Sequence, residues 1–235
     1  MTEPVSYKHD HPQGQPPYLY PGYTSTVARA PKRKPIPAQH TLSEITGPSF
    51  ADGWAGPDFI DLTKVKGGEA LGERIILEGR VLDEDGRPVP RTLVELWQCN
   101  AAGRYIHPVD QHDAPLDPHF VGTGQVLTGA DGSYRFLTIK PGAYPWRNSH
   151  NAWRPAHIHF SVFGPGFASR LVTQMYFPND PLLQYDPIYR STPDEQARER
   201  MVSSYDPNLS QAEYALGYRF DMVLRGRNAT PFEGA

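Results

Sequence analysis

Trp153-Arg154-Pro155-Ala156-His157-Ile158-His159-Phe160 is the stretch on which the reading of this chain turns. It reads as a β-strand, and a strand repeats its side-chain direction every second residue. His157 and His159 therefore project from one face. Two imidazoles on one face are half of a metal site. They are equally at home as hydrogen-bonded residues of a polar sheet face, and an isolated H-x-H does not separate the two readings.

The strand pattern continues outward from this run. Ile75, Leu77 and Val81 alternate with Glu78 and Arg80, and residues 92–98, 133–139, 156–163, 171–177 and 218–224 read as further strands. Asp83-Glu84-Asp85-Gly86, Thr128-Gly129-Ala130-Asp131-Gly132 and Gly164-Pro165-Gly166 are the turns between them. Only residues 193–203 look helical, with Asp194 and Glu195 in the first turn, where the helix dipole favours acids. Strands separated by turns, with almost no helix between them, predict an all-β fold: a two-sheet antiparallel β-sandwich with long loops and little helix.

The chain's 235 residues suit a single large core. Residues 1–70 read as a proline- and tyrosine-rich N-terminal arm, and residues 71–235 as the sandwich domain. Pro16-Pro17, Pro21-Gly22, Pro31, Pro35 and Pro37 interrupt regular structure in the arm. Disordered tails are poor in aromatics, whereas Tyr7, Tyr18, Tyr20 and Tyr23 punctuate this one. The arm is therefore expected to pack on its own domain or on a neighbouring subunit. Thr41 followed three residues later by Glu44 predicts one short helical turn over 41–45. A net charge of −3 argues against a nucleic-acid or anionic-membrane surface. A single cysteine, Cys99, allows no internal disulfide and reads as a small core residue. No signal-type leader and no apolar run of roughly 20 residues is present, so a soluble cytoplasmic protein is expected.

A zinc or ferrous site on His157 and His159 would add a third histidine or a carboxylate, and residues 160–164 offer none. A cupin places a glutamate shortly after such a pair. A zinc amidohydrolase places the pair on the first strand of a βα barrel, not late in an all-β chain. The unusual neighbours are tyrosines in glycine- and proline-bounded segments, Gly103-Arg104-Tyr105 and Pro141-Gly142-Ala143-Tyr144-Pro145-Trp146. A phenol of ordinary pKa about 10 becomes a strong ligand only for a hard, highly charged cation. Ferric iron meets that description.

Several segments match a known family: Leu93-Val94-Glu95-Leu96-Trp97-Gln98, Gly103-Arg104-Tyr105, Ala114-Pro115-Leu116-Asp117-Pro118, Ile139-Lys140-Pro141-Gly142, Tyr144-Pro145-Trp146-Arg147-Asn148, the 153–160 run, and Tyr218-Arg219-Phe220-Asp221-Met222-Val223-Leu224-Arg225-Gly226. Over residues 23–232 the chain resembles the intradiol ring-cleaving catechol dioxygenases. The resemblance implies a non-haem Fe(III) ion held by Tyr105, Tyr144, His157 and His159. It implies Arg154 beside the bound catechol, and Tyr23, Trp146, Gln174 and Ile188 lining the substrate pocket. It further implies that O2 cleaves the bond between the two hydroxyl-bearing ring carbons to give a cis,cis-muconate, with Tyr144 taking one catechol proton. Members acting on plain catechol carry a helical N-terminal segment, and this arm is proline-rich instead. The resemblance thus points to the branch acting on protocatechuate, yielding 3-carboxy-cis,cis-muconate in the β-ketoadipate pathway of aromatic catabolism, with catechol or hydroxyquinol as the alternative substrate. In that branch a homologous α subunit lacking the ligands joins the iron-bearing chain in αβ units of a higher oligomer.

Other residues are read as structural. His107, His112 and His119 are taken as surface or hydrogen-bonding residues, Trp97 and Trp153 as core, Trp146 as core or pocket, and Asp180 and Asp186 as loop residues. Two rival classes stand beside the dioxygenase: a zinc or ferrous hydroxylating or hydrolytic enzyme on the same H-x-H, and a non-catalytic assembly subunit.

Overall fold

The computed structural model describes residues 11–36, 56–65, 67–163 and 170–233. Tyr7, Pro37, the turn expected at 41–45 and Gly164-Pro165-Gly166 lie outside them. The strands are β1 (Arg74–Leu82), β2 (Leu93–Trp97), β3 (Thr123–Leu127), β4 (Ser133–Ile139), β5 (Tyr144–Pro145), β6 (Trp153–Arg154), β7 (His157–Phe163), β8 (Arg170–Tyr176), β9 (Ser204–Tyr205), β10 (Leu216–Arg219) and β11 (Met222–Val223). One sheet is built on β1, which pairs antiparallel with β4 on one edge and parallel with β10 and β11 on the other; β9 extends β10. The second sheet, β3-β2-β7-β8, is antiparallel throughout. The sandwich is as expected, with one addition. The C-terminal strands run alongside β1 rather than against it, so the first sheet is mixed.

Side-chain alternation sets the core. Ile75, Leu77, Val81, Tyr134, Phe136 and Ile139 from the first sheet meet Val94, Leu96, Val126, Ile158, Phe160 and Val162 from the second. Truncating a fully buried ring such as Phe160 would cost about 3–5 kcal/mol, through lost burial and the cavity left behind. On the outer side of β1, Ile76 packs with Leu209, Ala215 and Leu137, so this strand is buried on both faces at that point.

Three local expectations shift. The single strand read over 218–224 is split at Phe220-Asp221 into β10 and β11. The helix read over 193–203 is only Glu195–Glu199, capped by the Asp194 carboxylate on Ala197 N–H; the chain then turns so that Val202 bridges Tyr176. Strand β3 and the helices Thr24–Arg29 and Pro187–Ser191 were not anticipated. The described arm residues touch the sandwich: Phe59 bridges Gln125, Asp61 bridges Leu137, and Leu62 is wholly buried in the core. Among the described residues no helix is long and apolar enough to cross a membrane.

Candidate metal centre

Because Ile158, Phe160 and Val162 take the inner face of β7, His157 and His159 occupy its outer face. Both are nonetheless buried, since loops and the C-terminal segment cover that side. The register brings the rest of the constellation into line. His159 lies opposite Trp97 on β2 and Gln174 on β8, and His157 lies opposite Tyr176. The β5–β6 ribbon sets Tyr144 directly across from Arg154.

Tyr105 arrives on a loop ordered by Asn100, whose side-chain oxygen accepts from Ala102 N–H and Arg104 N–H. Asp110 then accepts from Tyr105 N–H at 2.8 Å. Two glycines let this loop lie against the one bearing Tyr144. A Cβ on Gly103, which has φ +79°, would sit 2.3 Å from Ala143 O, and one on Gly142 would sit 2.4 Å from Ala101 O. Any larger residue would force the two tyrosines apart.

The four rings form a closed circuit. Centroids lie 5.4 Å apart for Tyr105–Tyr144, 5.4 Å for Tyr144–His157, 4.9 Å for His157–His159 and 6.4 Å for Tyr105–His159. Each imidazole has its Nδ1 occupied: His157 donates to Pro155 O at 2.8 Å, and His159 to Glu233 Oε2 at 2.7 Å. These bonds set the tautomers and put the lone pair of each imidazole on Nε2, where that of His157 meets Arg154 Nη1. Tyr105 Oη is buried without a hydrogen-bond partner, which is costly unless something else binds it. Burial, reinforced by Tyr144, pushes the Tyr105 phenol well above its usual range; burial also raises Tyr144, with Arg154 opposing. Burial and the Arg154 cation hold His157 well below the usual imidazole range, in the neutral form that binds metals. A cation of high charge is what would ionise the two phenols and satisfy Tyr105 Oη, so the donor set fits ferric iron. Among the described residues no three His, Cys, Asp or Glu side chains gather to hold a metal without them.

Arg154 is the densest node. Its Nε donates to Asp186 at 2.8 Å, and both side chains are almost fully buried. Nη2 donates to Gln174 Oε1 and to Tyr176 Oη, and Nη1 stands 2.9 Å from His157 Nε2 and 3.5 Å from Tyr144 Oη. A metal on His157 would take the lone pair that Nη1 now holds, so loading requires this contact to yield. Burial is the largest single influence and opposes the guanidinium charge, but Asp186, Tyr176 and Tyr144 together outweigh it and keep Arg154 firmly cationic.

A cavity of about 760 Å³ opens beside the rings, walled by Trp97, Tyr105, Tyr144, Trp146, Arg147 and the 107–113 loop. Trp146 lies under the Arg154 guanidinium, 5.1 Å away, and Tyr23 packs on Trp146 at 5.2 Å. Gln174 and Ile188 are buried: Gln174 contacts Arg154, and Ile188 follows Asp186 in the short helix. Three structural assignments need correction. Trp97 walls the cavity and stacks on His159 at 4.8 Å and 7°, because odd positions of β2 face outward with the histidines. Trp153 is 44% exposed and meets His112, because the two-residue strand β6 turns it away from the core. Asp186 is not a passive loop residue but the buried counter-ion of Arg154. His107 and His112 stand on the cavity wall, and His119 remains apart from the ring circuit. Cys99 is buried in the core region, its thiol pushed up to about 12 by burial. Glu233 was missed, because nothing in the sequence links position 233 to position 159.

A sequence profile described as "Dioxygenase" matches residues 45–226, and one described as "Protocatechuate 3,4-dioxygenase beta subunit N terminal" matches residues 7–41. The chain is 60% identical over 220 residues to the protocatechuate 3,4-dioxygenase beta chain of Burkholderia cepacia, covering 93% of each. It is 30% identical over 203 residues to the alpha chain from the same organism, covering 83% of this chain and 96% of that one. Among solved structures, the dioxygenase domain of a dioxygenase–carbohydrate-binding protein fusion from Streptomyces sp. SirexAA-E superimposes with a TM-score of 0.53 at 26% identity, covering 82% of this chain and 99% of that one. Intradiol dioxygenases as a family depend on non-haem iron. With one profile spanning most of its length and a close relative covering nearly all of it, the chain belongs to the intradiol ring-cleavage dioxygenases, on the branch of the protocatechuate 3,4-dioxygenase beta chains.

Proposed function

We propose that this chain cleaves protocatechuate with O2 to 3-carboxy-cis,cis-muconate, with Tyr105, Tyr144, His157 and His159 as the ligands of one ferric ion. In the reaction the bond between the hydroxyl-bearing carbons breaks, and each of those carbons becomes a carboxylate carrying one atom of O2. The observation that carries the reading is the circuit of four donor rings, one of which, Tyr105, is a buried phenol without a hydrogen-bond partner. A ferric ion held by Tyr105, Tyr144, His157 and His159 would supply the positive charge that ionises the phenols and would withdraw electron density from a bound catechol.

The chain's own residues do the rest. Tyr144 stands at the cavity wall and accepts one catechol proton on Oη. Arg154 lies 3.5 Å from that oxygen, and its permanent charge stabilises negative charge developing on the ring. Asp186, Gln174 and Tyr176 hold the guanidinium in place. Trp146 and Trp97 present flat apolar walls to an aromatic substrate. Arg147 on the wall provides a donor toward the substrate carboxylate, and Tyr23 packs behind Trp146. Residues 1–70 act as the packing arm and 71–235 as the catalytic domain, and an α-type homologue completes αβ units of a higher oligomer. The similarity to both a beta and an alpha chain supports that partner.

The test is O2 consumption with protocatechuate, catechol and hydroxyquinol, using the chain alone and co-expressed with an α-type homologue. Protocatechuate is expected to be the preferred substrate. A preference for catechol or hydroxyquinol overturns the substrate, and a colourless, zinc-loaded native protein overturns the chemistry.

A further inference from the structure

We infer that the C-terminal segment is a strap that fixes His159 as a ligand, with Glu233 as its positioning residue; this rests on the ferric reading above. Glu233 Oε2 lies 2.7 Å from His159 Nδ1, although 74 residues separate the two in sequence. The strap is anchored residue by residue. Thr230 N–H donates to Val223 O at 2.9 Å, and Thr230 Oγ1 accepts from Val223 N–H at 2.9 Å. Pro231 O accepts from the buried Thr173 hydroxyl at 2.7 Å. Phe232 N–H donates to Gln15 Oε1 at 2.8 Å, and Glu233 N–H to Val172 O at 2.9 Å. Two of these anchors, at Val172 and Thr173, lie on β8, the strand paired with β7. The strap is therefore held in register with the strand that carries the ligands.

The His159 ring is consequently gripped twice. Trp97 lies flat on its face, and the Glu233 carboxylate holds its Nδ1 edge. Together these constraints leave Nε2 one direction in which to point. The two histidines are backed differently. His157 leans on the neutral carbonyl of Pro155, whereas His159 leans on a carboxylate, which makes an imidazole a stronger donor to a metal. A tail kept only for stability would gain as much from the backbone anchors alone. The carboxylate placed on the ligand ring is what marks a role at the metal.

The test uses the full-length chain loaded with ferric iron. Iron per chain, the rate of iron loss to EDTA and the visible phenolate-to-iron absorption are compared in wild type, Glu233→Gln, Glu233→Ala and Thr173→Val. Glu233→Ala should weaken iron binding about 10–100-fold, the range found when such supporting partners are lost, and release iron correspondingly faster. Glu233→Gln keeps an acceptor for Nδ1–H and should recover most of that loss. Thr173→Val loosens the strap without touching Glu233 or His159 and should fall between wild type and Glu233→Ala. The melting temperatures of the metal-free wild type and the two Glu233 variants should stay together while those of their loaded forms separate. A Glu233→Ala release rate within about twofold of wild type, against the 10–100-fold expected, overturns the strap. So does an equal drop in metal-free and loaded melting temperatures for Glu233→Ala. A wild-type chain that takes up no iron overturns the functional reading, and this inference with it.

Discussion

Asp186→Asn isolates the electrostatics of the site from its metal. Asp186 Oδ2 receives Arg154 Nε at 2.8 Å, and Oδ1 receives Ile188 N–H and Tyr189 N–H at 2.9 Å each and Tyr176 Oη at 3.2 Å. Asparagine keeps the oxygen that caps the Pro187–Ser191 helix, since it caps about as well as aspartate. What it removes is the counter-charge of a guanidinium that is 2% exposed. Breaking a buried pair from one side costs about 3–5 kcal/mol, because the remaining charge is left uncompensated. That is a large share of the roughly 5–15 kcal/mol by which domains are stable. Asp186→Ala also loses the cap and should cost about 1 kcal/mol more. The assay is urea unfolding of the metal-free chain, so that metal linkage does not enter. Arg154→Met and the double variant Arg154→Met/Asp186→Asn complete a cycle, with an expected coupling of about 2 kcal/mol or more. An Asp186→Asn cost below about 1 kcal/mol together with an additive cycle would refute the reasoning, since the ion pair would then be carrying little.

Three further outcomes follow from the donor set. Tyr105→Phe removes a buried hydroxyl that has no partner, so the metal-free chain should be as stable as wild type or up to about 1–3 kcal/mol more stable, while iron content and colour fall; a destabilised metal-free variant would show that Oη is bonded after all. Tyr144→Phe should keep iron but slow substrate deprotonation, read as a reduced rate in single-turnover mixing with protocatechuate; reaction at the wild-type rate would remove its role as base. Stripping iron with a chelator should bleach the protein and abolish O2 uptake. Ferric iron should restore both and zinc neither, and recovery with zinc would overturn the ligand chemistry.

Elements of this fold differ in how far local sequence specifies them. The period of 2 in β7 suffices to place both histidines on one face, because strand geometry alone dictates it. The mixed pairing of β1 was not legible, since alternation reports which face is buried and not the direction of the neighbouring strand. The split of 218–224 at Phe220-Asp221 was equally hidden, because hydrophobic alternation continues across it. Pro187 after Asp186 is a helix-start signal that local reading could have found.

The sequence by itself determined the all-β class, the paired imidazoles and the tyrosine-bearing segments, because these depend on local periodicity and on residue chemistry. Tertiary structure alone decided that Asp186 balances Arg154, that Trp97 lies on His159 instead of in the core, and that Glu233 backs an imidazole 74 residues away. Contacts of that kind arise only when the chain closes over the outer face of the second sheet. Burial then turns a carboxylate of ordinary sequence context into the partner that a buried charge or ligand requires.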